Sequence, residues 1–253
     1  MIRISTVIIT YNEEKNIADC IDSVLAISDE VIVVDSFSTD KTEVICLAKG
    51  VKFVKNKYEG MIEQKNYAVS LATHNYILSL DADERLSDTL TDSILKVKQK
   101  WEADGFSFNR FNHYCGSWIY HSGWYPDRKL RLFDRRKGRF QGVNPHDEFK
   151  LDSGSIHKYL KGDLLHYTFE SVEDHRNRLI KYANTAAEHY YKIGRPANHL
   201  LLIIKPAFTF LKKYFIQLGF LDGYNGFVIS KMSAEYVYLR TRRLLLLKKD
   251  NNS

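Results

Sequence analysis

Polar and acidic side chains follow three apolar runs in the first hundred residues, and their types suit a metal ion and a phosphate. The three groups are Thr10-Tyr11-Asn12-Glu13, Asp35-Ser36 and Asp81-Ala82-Asp83-Glu84. If the runs are neighbouring parallel strands, the groups meet at the carboxyl edge of the sheet, where open α/β sheets bind ligands. Clustered carboxylates raise each other's pKa or recruit a cation. Oxygen ligands suit Mg²⁺ or Mn²⁺, with substrate phosphates completing the coordination.

Each of these signals is weak when taken alone. An Asp-x-Asp is also compatible with an ordinary acidic loop that caps the next helix, and Asp35 is compatible with a strand-end cap. The joint pattern is more specific than its parts. The chain has no G-x-G-x-x-G and no G-x-x-x-x-G-K-[ST], so neither a dinucleotide fold nor a P-loop is indicated. Phosphate is then expected to be held by the metal.

The elements that must position these groups alternate between strand and helix. The predicted strands are VIIT, EVIVVD, VKFV and YILSLD, and the predicted helices are EEKNIADCIDSVLA, STDKTEVICLAKG, IEQKNYAVSLA and DTLTDSILKVKQKW. This alternation predicts a mainly parallel sheet with helices on both faces. After Gly105, strands are predicted at FSFNRFNHY, RKLRLFD and GDLLHYTF, separated by an aromatic loop, CGSWIYHSGWYPD, and a polar loop, QGVNPHDEF. A helix is predicted from Ser171, with Asp174 in a capping-box-like position, to Gly194.

The cysteine pattern bears on the cellular compartment. Among 253 residues there are three cysteines, widely spaced and without a CxxC, which argues against a disulfide framework or a zinc site. A reducing cytoplasm is the natural compartment. The N-terminal residues enter an apolar strand pattern at once, so no signal peptide is expected.

The excess positive charge lies near the C-terminus. The net charge is +6, and the residues from Leu200 onward hold nine Lys/Arg against three Asp/Glu. The apolar runs there are far shorter than the roughly 20 residues needed to span a bilayer. Basic residues beside Leu, Phe and Tyr suit a helix lying in the membrane interface. The alternative is a helical subdomain that packs its apolar stripe on the main domain. Nucleic acid is disfavoured, because the rest of the chain has no basic excess.

Several segments resemble a known family. VIITYNEEKNI, VIVVDSFSTDKT and ILSLDADE, in this order, resemble the nucleotide-sugar-binding half of family 2 glycosyltransferases with the GT-A fold. GWYPDRKLRLF, PHDEF, GDLLHYTFES and KYFIQLGFLDGYNGF resemble the branch that adds glucose to the inner core of bacterial lipopolysaccharide. The resemblance implies a GT-A domain over residues 1–170 and a helical, membrane-associating extension over residues 171–253.

The resemblance also implies donor-site roles. The nucleotide-sugar-binding positions would be Thr10, Tyr11, Asn12, Glu13, Asp35, Asp81, Ala82 and Asp83. Asp35 would accept a hydrogen bond from the uracil or ribose, and Asp81 would lie near the ribose. Asp83 would bind the Mg²⁺ or Mn²⁺ that bridges the diphosphate. Family members often carry D-D or D-x-D-D where this chain has D-A-D-E. Glu84 would therefore either assist the neighbouring acids in binding or serve only as a cap.

An inverting transfer needs a base on the acceptor side to take the proton of the attacking hydroxyl. The segment NPHDEF offers Asp147 and Glu148. In the related branch a His followed by an acid occupies this place, which favours Asp147 because it follows His146. Glu148 is the close alternative as the base. The other interpretation is that the segment is a solvated acidic turn without a catalytic role.

Further candidates lie on the acceptor side. Trp118, Trp124 and Tyr125 stack on an acceptor sugar, pack as a core plug or touch lipid. Candidates for phosphate contacts are Arg128, Lys129 and Arg131, although charges on a solvent-facing strand would have the same pattern. His166 is either a late metal ligand or a hydrogen-bonded core histidine.

The sequence therefore predicts an inverting, metal-dependent hexosyltransferase. It would move a hexose, glucose by the branch resemblance, from a UDP-sugar to a lipid-linked saccharide such as the lipopolysaccharide inner core. It would work in the cytoplasm, peripherally bound to the inner membrane surface, and would not bind nucleic acid. The alternatives are transfer to a polyprenyl phosphate or capsule precursor, and a non-catalytic membrane-associated sugar-binding protein.

Overall fold

The computed structural model describes residues 1–143 and 146–250, which divide into two compact units. The sheet unit comprises Met1–Arg110 and Asp127–His166, and the helical unit comprises Phe111–Pro126 and Tyr167–Ser253. The aromatic loop thus belongs to the helical unit, so this division differs from a single boundary at residue 170.

The described residues form one large sheet and one hairpin. The strands are β1 (Ile4–Thr10), β2 (Glu30–Asp35), β3 (Lys52–Lys55), β4 (Tyr76–Asp81), β5 (Glu84–Leu86), β6 (Gly105–Tyr114), β7 (Ser117–Trp118), β8 (Asp127–Asp134), β9 (Gly138–Val143), β10 (His146–Leu151) and β11 (His157–Phe169). The large sheet has the order β3-β2-β1-β4-β8-β6-β11-β5, with β7 paired to β6. Its first four strands are parallel.

The predicted mainly parallel sheet is wrong beyond β4. β8 runs antiparallel to β4 and to β6, and β5 runs antiparallel to β11, so the sheet is mixed. The physical reason is the loss of crossover helices after residue 105. A parallel neighbour needs a long crossover connection, whereas strands joined by loops pair antiparallel.

The predicted polar loop QGVNPHDEF is also wrong, because most of it lies in the β9–β10 hairpin. Phe140 and Phe149 pair across the hairpin, and the ring of Phe149 stacks on Phe133 at a centroid distance of 3.5 Å. These buried rings anchor the hairpin, and the partly buried Leu151 packs against the same core. Asn144 and Pro145, which belong to the quoted segment, lie outside the described residues.

The helices of the sheet unit cover both faces of the sheet, as predicted. They are α1 (Ile17–Val24), α2 (Thr42–Ala48), α3 (Met61–Ser70) and α4 (Asp88–Gln99). Successive side chains of a strand point to opposite faces, and β1 follows this rule. Ile4 and Ile8 join a core with the buried side chains of α1 and α4, whereas Val7 joins a second core with Ala68 of α3.

The helical unit contains α5 (Val172–Lys192), α6 (His199–Leu211) and α7 (Gly223–Asp250), with a π-helical turn at Lys212–Ile216 and a 3₁₀ turn at Gly219–Asp222. The predicted cap of α5 is confirmed, because the Ser171 hydroxyl accepts a hydrogen bond from the backbone N–H of Asp174 at 3.1 Å. No residue of α6 is buried. Within the described ranges, no helix combines the length and apolar character that a bilayer crossing requires.

Candidate active site

The three predicted polar groups lie on neighbouring strand ends. In the parallel register Thr10 pairs with Asp35, and Ile9 pairs with Asp81. The predicted adjacency of these strands is therefore confirmed. Parallel pairing places all three carboxyl ends at one edge of the sheet unit.

The loops after β1 and β2 are joined to each other by hydrogen bonds. Asn12, with a positive φ of 54°, accepts a hydrogen bond on its side-chain oxygen from the backbone N–H of Thr39 at 2.7 Å. Its own backbone N–H donates to the Ser38 hydroxyl at 2.8 Å. Ser38 in turn donates to the buried Asp35 carboxylate through its backbone N–H and its hydroxyl. Asp35 thus holds this loop, and a contact from Asp35 to uridine remains a prediction.

Thr10 and Tyr11 present groups that a ligand can use. The Thr10 side chain is 5% exposed, and its hydroxyl has no hydrogen-bond partner among the described residues. An unsatisfied buried hydroxyl is costly unless a ligand or water completes it. The Tyr11 ring is 58% exposed, which leaves its face open for stacking. The Glu13 carboxylate accepts from the Asn16 side chain at 2.8 Å.

A buried lysine joins the end of β4 to the β9–β10 hairpin. Lys65 of α3 is 1% exposed. Its Nζ lies 2.8 Å from Oδ2 of Asp147 and 3.0 Å from the nearer carboxylate oxygen of Asp81. The lysine therefore ties the predicted donor-side acid to the predicted base.

Arg131 completes this charged cluster. Its guanidinium lies 3.0 Å from Asp81 and 3.3 Å from Glu84, and 4.0 Å from Asp147. Burial by itself would raise the pKa of Asp81, but the charges of Lys65 and Arg131 outweigh burial and hold that pKa well below its usual range. Asp81 therefore stays ionised because the two cations compensate its charge.

The cluster decides between the two readings of Glu84. This side chain is fully buried, and its carboxylate accepts from the backbone N–H of Asp81 at 2.9 Å as well as from Arg131. Glu84 therefore has a capping role, as a buried carboxylate that accepts a backbone hydrogen bond at the end of β4. Arg131, predicted among the phosphate contacts, is 5% exposed and binds these internal carboxylates.

Asp83 and His166 form a second, more open pair. The antiparallel register of β5 and β11 sets His166 opposite Glu84. Nε2 of His166 lies 3.4 Å from Oδ2 of Asp83, with side-chain exposures of 13% and 17%. The sequence left His166 open between a metal ligand and a hydrogen-bonded core histidine, and its place beside Asp83 is compatible with both, so the ligand role remains a prediction.

The donor set of this pair fits a divalent cation that is shared with a substrate. Across the described ranges, no group of three or more His, Cys, Asp or Glu side chains is arranged to hold a metal. Mg²⁺ and Mn²⁺ sites that serve diphosphates use only one or two protein ligands, with phosphate oxygens and waters as the others. One carboxylate and one imidazole, both reachable by solvent, meet that need.

Asp147 and Glu148 point to opposite sides of β10, since successive side chains alternate along a strand. Asp147 shares its side with the buried Phe149, whereas Glu148 is exposed. The contacts of Asp147 to Lys65 and Arg131 all fall on Oδ2. Its Oδ1 makes no hydrogen bond to a described residue and remains available.

Comparison with known proteins establishes the family. The family model described as glycosyl transferase family 2 matches residues 5–155. An uncharacterized glycosyltransferase of Rickettsia typhi is 34% identical over 263 residues, which covers 99% of this chain and 90% of that protein.

The chain belongs to glycosyl transferase family 2.

More distant relatives of this glycosyltransferase include a lipopolysaccharide core biosynthesis glycosyltransferase, LpsC, of Rhizobium meliloti. It is 26% identical over 252 residues, covering 95% of this chain and 91% of LpsC. Among solved structures, S. aureus TarS overlaps 72% of this chain and 39% of its own at 18% identity and a TM-score of 0.47. Glucosyl-3-phosphoglycerate synthase from Mycobacterium tuberculosis, in complex with Mn²⁺, UDP and phosphoglyceric acid, overlaps 46% of this chain and 44% of its own at 24% identity and a TM-score of 0.37.

The aromatic residues predicted for the acceptor of this glycosyltransferase separate into two sets within the helical unit. Trp118 stacks on Phe111 at 4.8 Å, and Tyr125 lies 4.9 Å from the same ring. Trp124 packs instead in the helical core, edge-on to Tyr114 at 5.6 Å. The geometry at Trp124 matches the core-plug alternative.

Arg128 of the glycosyltransferase lies in the sheet unit, where its guanidinium covers the Tyr159 ring at 5.0 Å. Lys129 forms an ion pair with Asp127 at 3.0 Å. Both side chains are thus engaged within the protein, and contacts to an acceptor phosphate remain predictions.

Sequence reasoning missed Lys65. A signal was present, because Lys65, Ala68 and Ala72 recur at the three- and four-residue spacing of a helix face, and the two alanines are buried. A lysine on the buried side of a helix needs a carboxylate partner. That requirement points to the acidic segments, although it does not say which acid is the partner.

Proposed function

We propose that this family 2 glycosyltransferase transfers a hexose, glucose by the branch resemblance, from a UDP-sugar to a lipid-linked saccharide, with inversion at the anomeric carbon and at the cytoplasmic membrane surface. The observation that carries the proposal is the double ion pair of Lys65, which joins Asp81 to Asp147. This contact supports the proposal, because one buried side chain bridges the residue proposed as base and an acid proposed for the donor site.

The donor would lie at the carboxyl edge of the parallel strands. The exposed Tyr11 ring offers a stacking face for uracil, and the unsatisfied Thr10 hydroxyl offers a hydrogen bond. The fastened loops after β1 and β2 keep both groups in place, so little ordering is needed on binding.

Asp83 and His166 are the residues that would hold Mg²⁺ or Mn²⁺. The cation, when bound, supplies Lewis-acid stabilisation of the charge on the departing diphosphate. The chain's own contribution is to place a partly exposed Asp83 beside His166, while Lys65 and Arg131 compensate the charge of the neighbouring Asp81.

Asp147 would act as the base through Oδ1. The proton of the acceptor hydroxyl passes to Oδ1, the hydroxyl oxygen forms a bond to the anomeric carbon, and the bond from that carbon to the diphosphate oxygen breaks. UDP leaves with the electron pair of the broken bond. Lys65 holds Oδ2 and thereby orients the carboxylate for this proton transfer.

A lipid-linked acceptor and a membrane location draw support from the helical unit. Helix α6 exposes a row of apolar side chains, among them Leu200, Ile203, Ile204, Phe208 and Leu211. The whole unit carries 14 Lys/Arg against seven Asp/Glu. Apolar area beside a basic surplus favours binding to anionic lipid surfaces. The name of LpsC, a lipopolysaccharide core glycosyltransferase, points to the same class of acceptor.

The deciding experiment measures binding and slow hydrolysis of a panel of UDP-sugars by the purified protein, with and without Mn²⁺. We expect metal-dependent binding of one UDP-hexose and its loss in Asp83→Asn. The matched control is Asp92→Asn, which removes an exposed carboxylate on α4. Binding that ignores the metal, or equal loss in both variants, would contradict the proposed donor site. Metal-dependent binding without hydrolysis or transfer to any saccharide would favour the non-catalytic alternative.

A further inference from the structure

An open-sided cavity lies among the helices of the helical unit, apart from the residues proposed for donor binding. Its volume is about 260 Å³. Most of its wall is apolar or aromatic and comes from α5 and α7, including Leu179, Tyr182, Met232, Tyr236 and Val237. Ligand pockets start at roughly 300 Å³, so this volume suits a single narrow chain and is too small for a nucleotide sugar.

One side chain in the wall carries a charge that nothing in the wall neutralises. Lys213, in the π-helical turn after α6, lines the cavity and is half-buried. Its Nζ donates to the backbone carbonyl of Ser122 at 2.8 Å, and no salt bridge of the described residues includes it. Burial lowers the pKa of Lys213, and the charge of Lys212 lowers it further, as expected for an ammonium group without a counter-ion.

The histidine in the wall adds no charge of its own. His175 lies opposite on α5, and its ring nitrogen is hydrogen-bonded to the Tyr114 hydroxyl at 2.9 Å. Burial lowers the pKa of His175 to about 4, so the ring is neutral at pH 7. A desolvated cation costs free energy unless an anion offsets it. The cavity therefore combines an apolar interior with an uncompensated positive charge.

We propose that this cavity binds one alkyl chain that carries an anionic headgroup, with the chain among the α5 and α7 side chains and the headgroup on the Lys213 ammonium. The ligand class is a single-chain anionic amphiphile, or one acyl chain of an anionic membrane lipid. The inference goes beyond the proposed function, since it requires neither the donor site nor a particular acceptor. Such a chain would anchor the helical unit to a lipid at a defined point.

The test uses three twelve-carbon probes below their micelle-forming concentrations: dodecyl phosphate, dodecanoate and dodecanol. Isothermal titration with the full chain is expected to show that both anions bind more tightly than the neutral alcohol, by about tenfold or more. The two anions distinguish a phosphate headgroup from a carboxylate. Ser233→Phe, which places a ring in the cavity wall, should abolish binding of all three probes.

A pair of neighbouring lysines provides the control for charge. Lys213→Met should reduce the affinity for both anions to that of dodecanol and leave dodecanol binding unchanged. Lys212→Met removes the same charge from an exposed position that does not line the cavity, and should retain the preference for anions. Equal losses in the two variants would show general electrostatic attraction and overturn the proposal, as would binding that persists in Ser233→Phe.

Binding of the UDP-sugar to the same variants separates this inference from the proposed function. We expect each variant to bind the donor like the unmodified chain, which also shows that it is folded. Donor binding without probe binding would reject the cavity proposal alone. Probe binding without donor binding would reject the proposed donor site alone.

Discussion

The two units of the chain differ in whether a buried lysine has a carboxylate partner. In the sheet unit, Lys65 is 1% exposed and has two carboxylates, Asp81 and Asp147, within 3.0 Å. In the helical unit, the half-buried Lys213 has a backbone carbonyl as its hydrogen-bond acceptor and no carboxylate among the described residues. A buried charge is tolerated only when it is compensated. The sheet unit supplies that compensation itself, whereas the helical unit leaves it to a ligand.

The two units also differ in net charge and in exposed apolar side chains. The sheet unit holds 23 Lys/Arg and 24 Asp/Glu, while the helical unit holds 14 and seven. Most of the largest exposed apolar side chains beyond residue 195 lie on α6 and the two turns that follow it. The near-neutral sheet unit suits a self-contained catalytic framework, and the basic, apolar helical unit suits an anionic lipid surface.

The largest expected effect is at the proposed base, Asp147, within the compensated cluster. Asp147→Asn should lower the rate of sugar transfer by about 10²–10⁴-fold, the usual contribution of a general base. Glu148→Gln, the matched change on the opposite side of β10, should stay within a few-fold of the unmodified enzyme. The measurement is kcat for UDP release with a saccharide acceptor.

Binding of the donor should be nearly the same in the two variants, because neither residue is placed in the donor site. If Glu148→Gln loses transfer and Asp147→Asn retains it, the base assignment is reversed. If neither loses transfer, no acid of the β10 segment is the base.

The next largest effect compares the two buried lysines directly. Lys65→Met should lower the free energy of unfolding by about 3–5 kcal/mol, because it strands two partly buried carboxylates. Lys213→Met should cost far less stability, since it removes a desolvated charge and strands only the backbone carbonyl of Ser122 and no carboxylate. Urea denaturation of both variants measures the difference.

The double variant Lys65→Met/Asp147→Asn sharpens this result. We expect it to recover part of the stability lost in Lys65→Met, because contacting residues are not additive. A loss in Lys213→Met as large as that in Lys65→Met would remove the distinction between the units.

Much of the sheet unit was predictable, because its signals are local. Strands β1, β2 and β4 each read as apolar runs that end at a polar residue. Helical spacing predicted one apolar face of α1, and four of its five residues are buried, Ile17, Cys20, Ile21 and Val24, whereas the fifth, Leu25, follows the helix and is exposed. Adjacent parallel strands then bring the acidic ends together. The donor-side positions follow from these patterns and from the family resemblance.

The later half was harder to predict, since its geometry depends on long-range pairing. The β9–β10 hairpin is mostly polar, and a few apolar side chains, Phe140, Phe149 and the partly buried Leu151, mark its buried side. The partnership of Lys65 with Asp147 spans 82 residues and has no local signature. The pairing of Asp83 with His166 likewise requires β5 and β11 to be neighbours, which no periodicity reports.

A smaller effect is expected at the lipid surface. Leu211→Ser on α6 should weaken cosedimentation with anionic vesicles by about tenfold, the equivalent of ~1.4 kcal/mol of lost apolar burial. Leu47→Ser, a similarly exposed leucine on α2 of the sheet unit, should have no effect. Raising the salt concentration should weaken vesicle binding of the unmodified chain, because screening shortens the reach of the basic groups. Equal weakening by the two leucine variants would contradict membrane binding through the helical unit.

The smallest expected effect is the response of the helical unit to acid. Burial lowers the pKa of His175 to about 4, against its ordinary value of 6.5, while the nearby Asp174 and Glu235 raise it and Arg178 lowers it. The unfolded chain therefore binds a proton at this position before the folded chain does, and stability falls as the pH drops below about 6.5. Between pH 7 and pH 5, where most Asp and Glu side chains remain ionised, the melting temperature should fall.

His175→Gln isolates that contribution, since glutamine can keep a hydrogen bond to the Tyr114 hydroxyl without titrating. The fall in melting temperature between pH 7 and pH 5 should be about 2–4 °C smaller in His175→Gln. A difference of this size corresponds to ~1 kcal/mol in a chain of this length, a value that allows for solvent screening of a half-buried group. The matched control is His157→Gln, an exposed histidine of β11 in the sheet unit, which should keep the full response. If both variants respond alike, the acid sensitivity does not originate in the helical core. His175 would then not be shown to stay neutral in the folded chain. Lys213 could then no longer be treated as the one positive charge in the cavity wall.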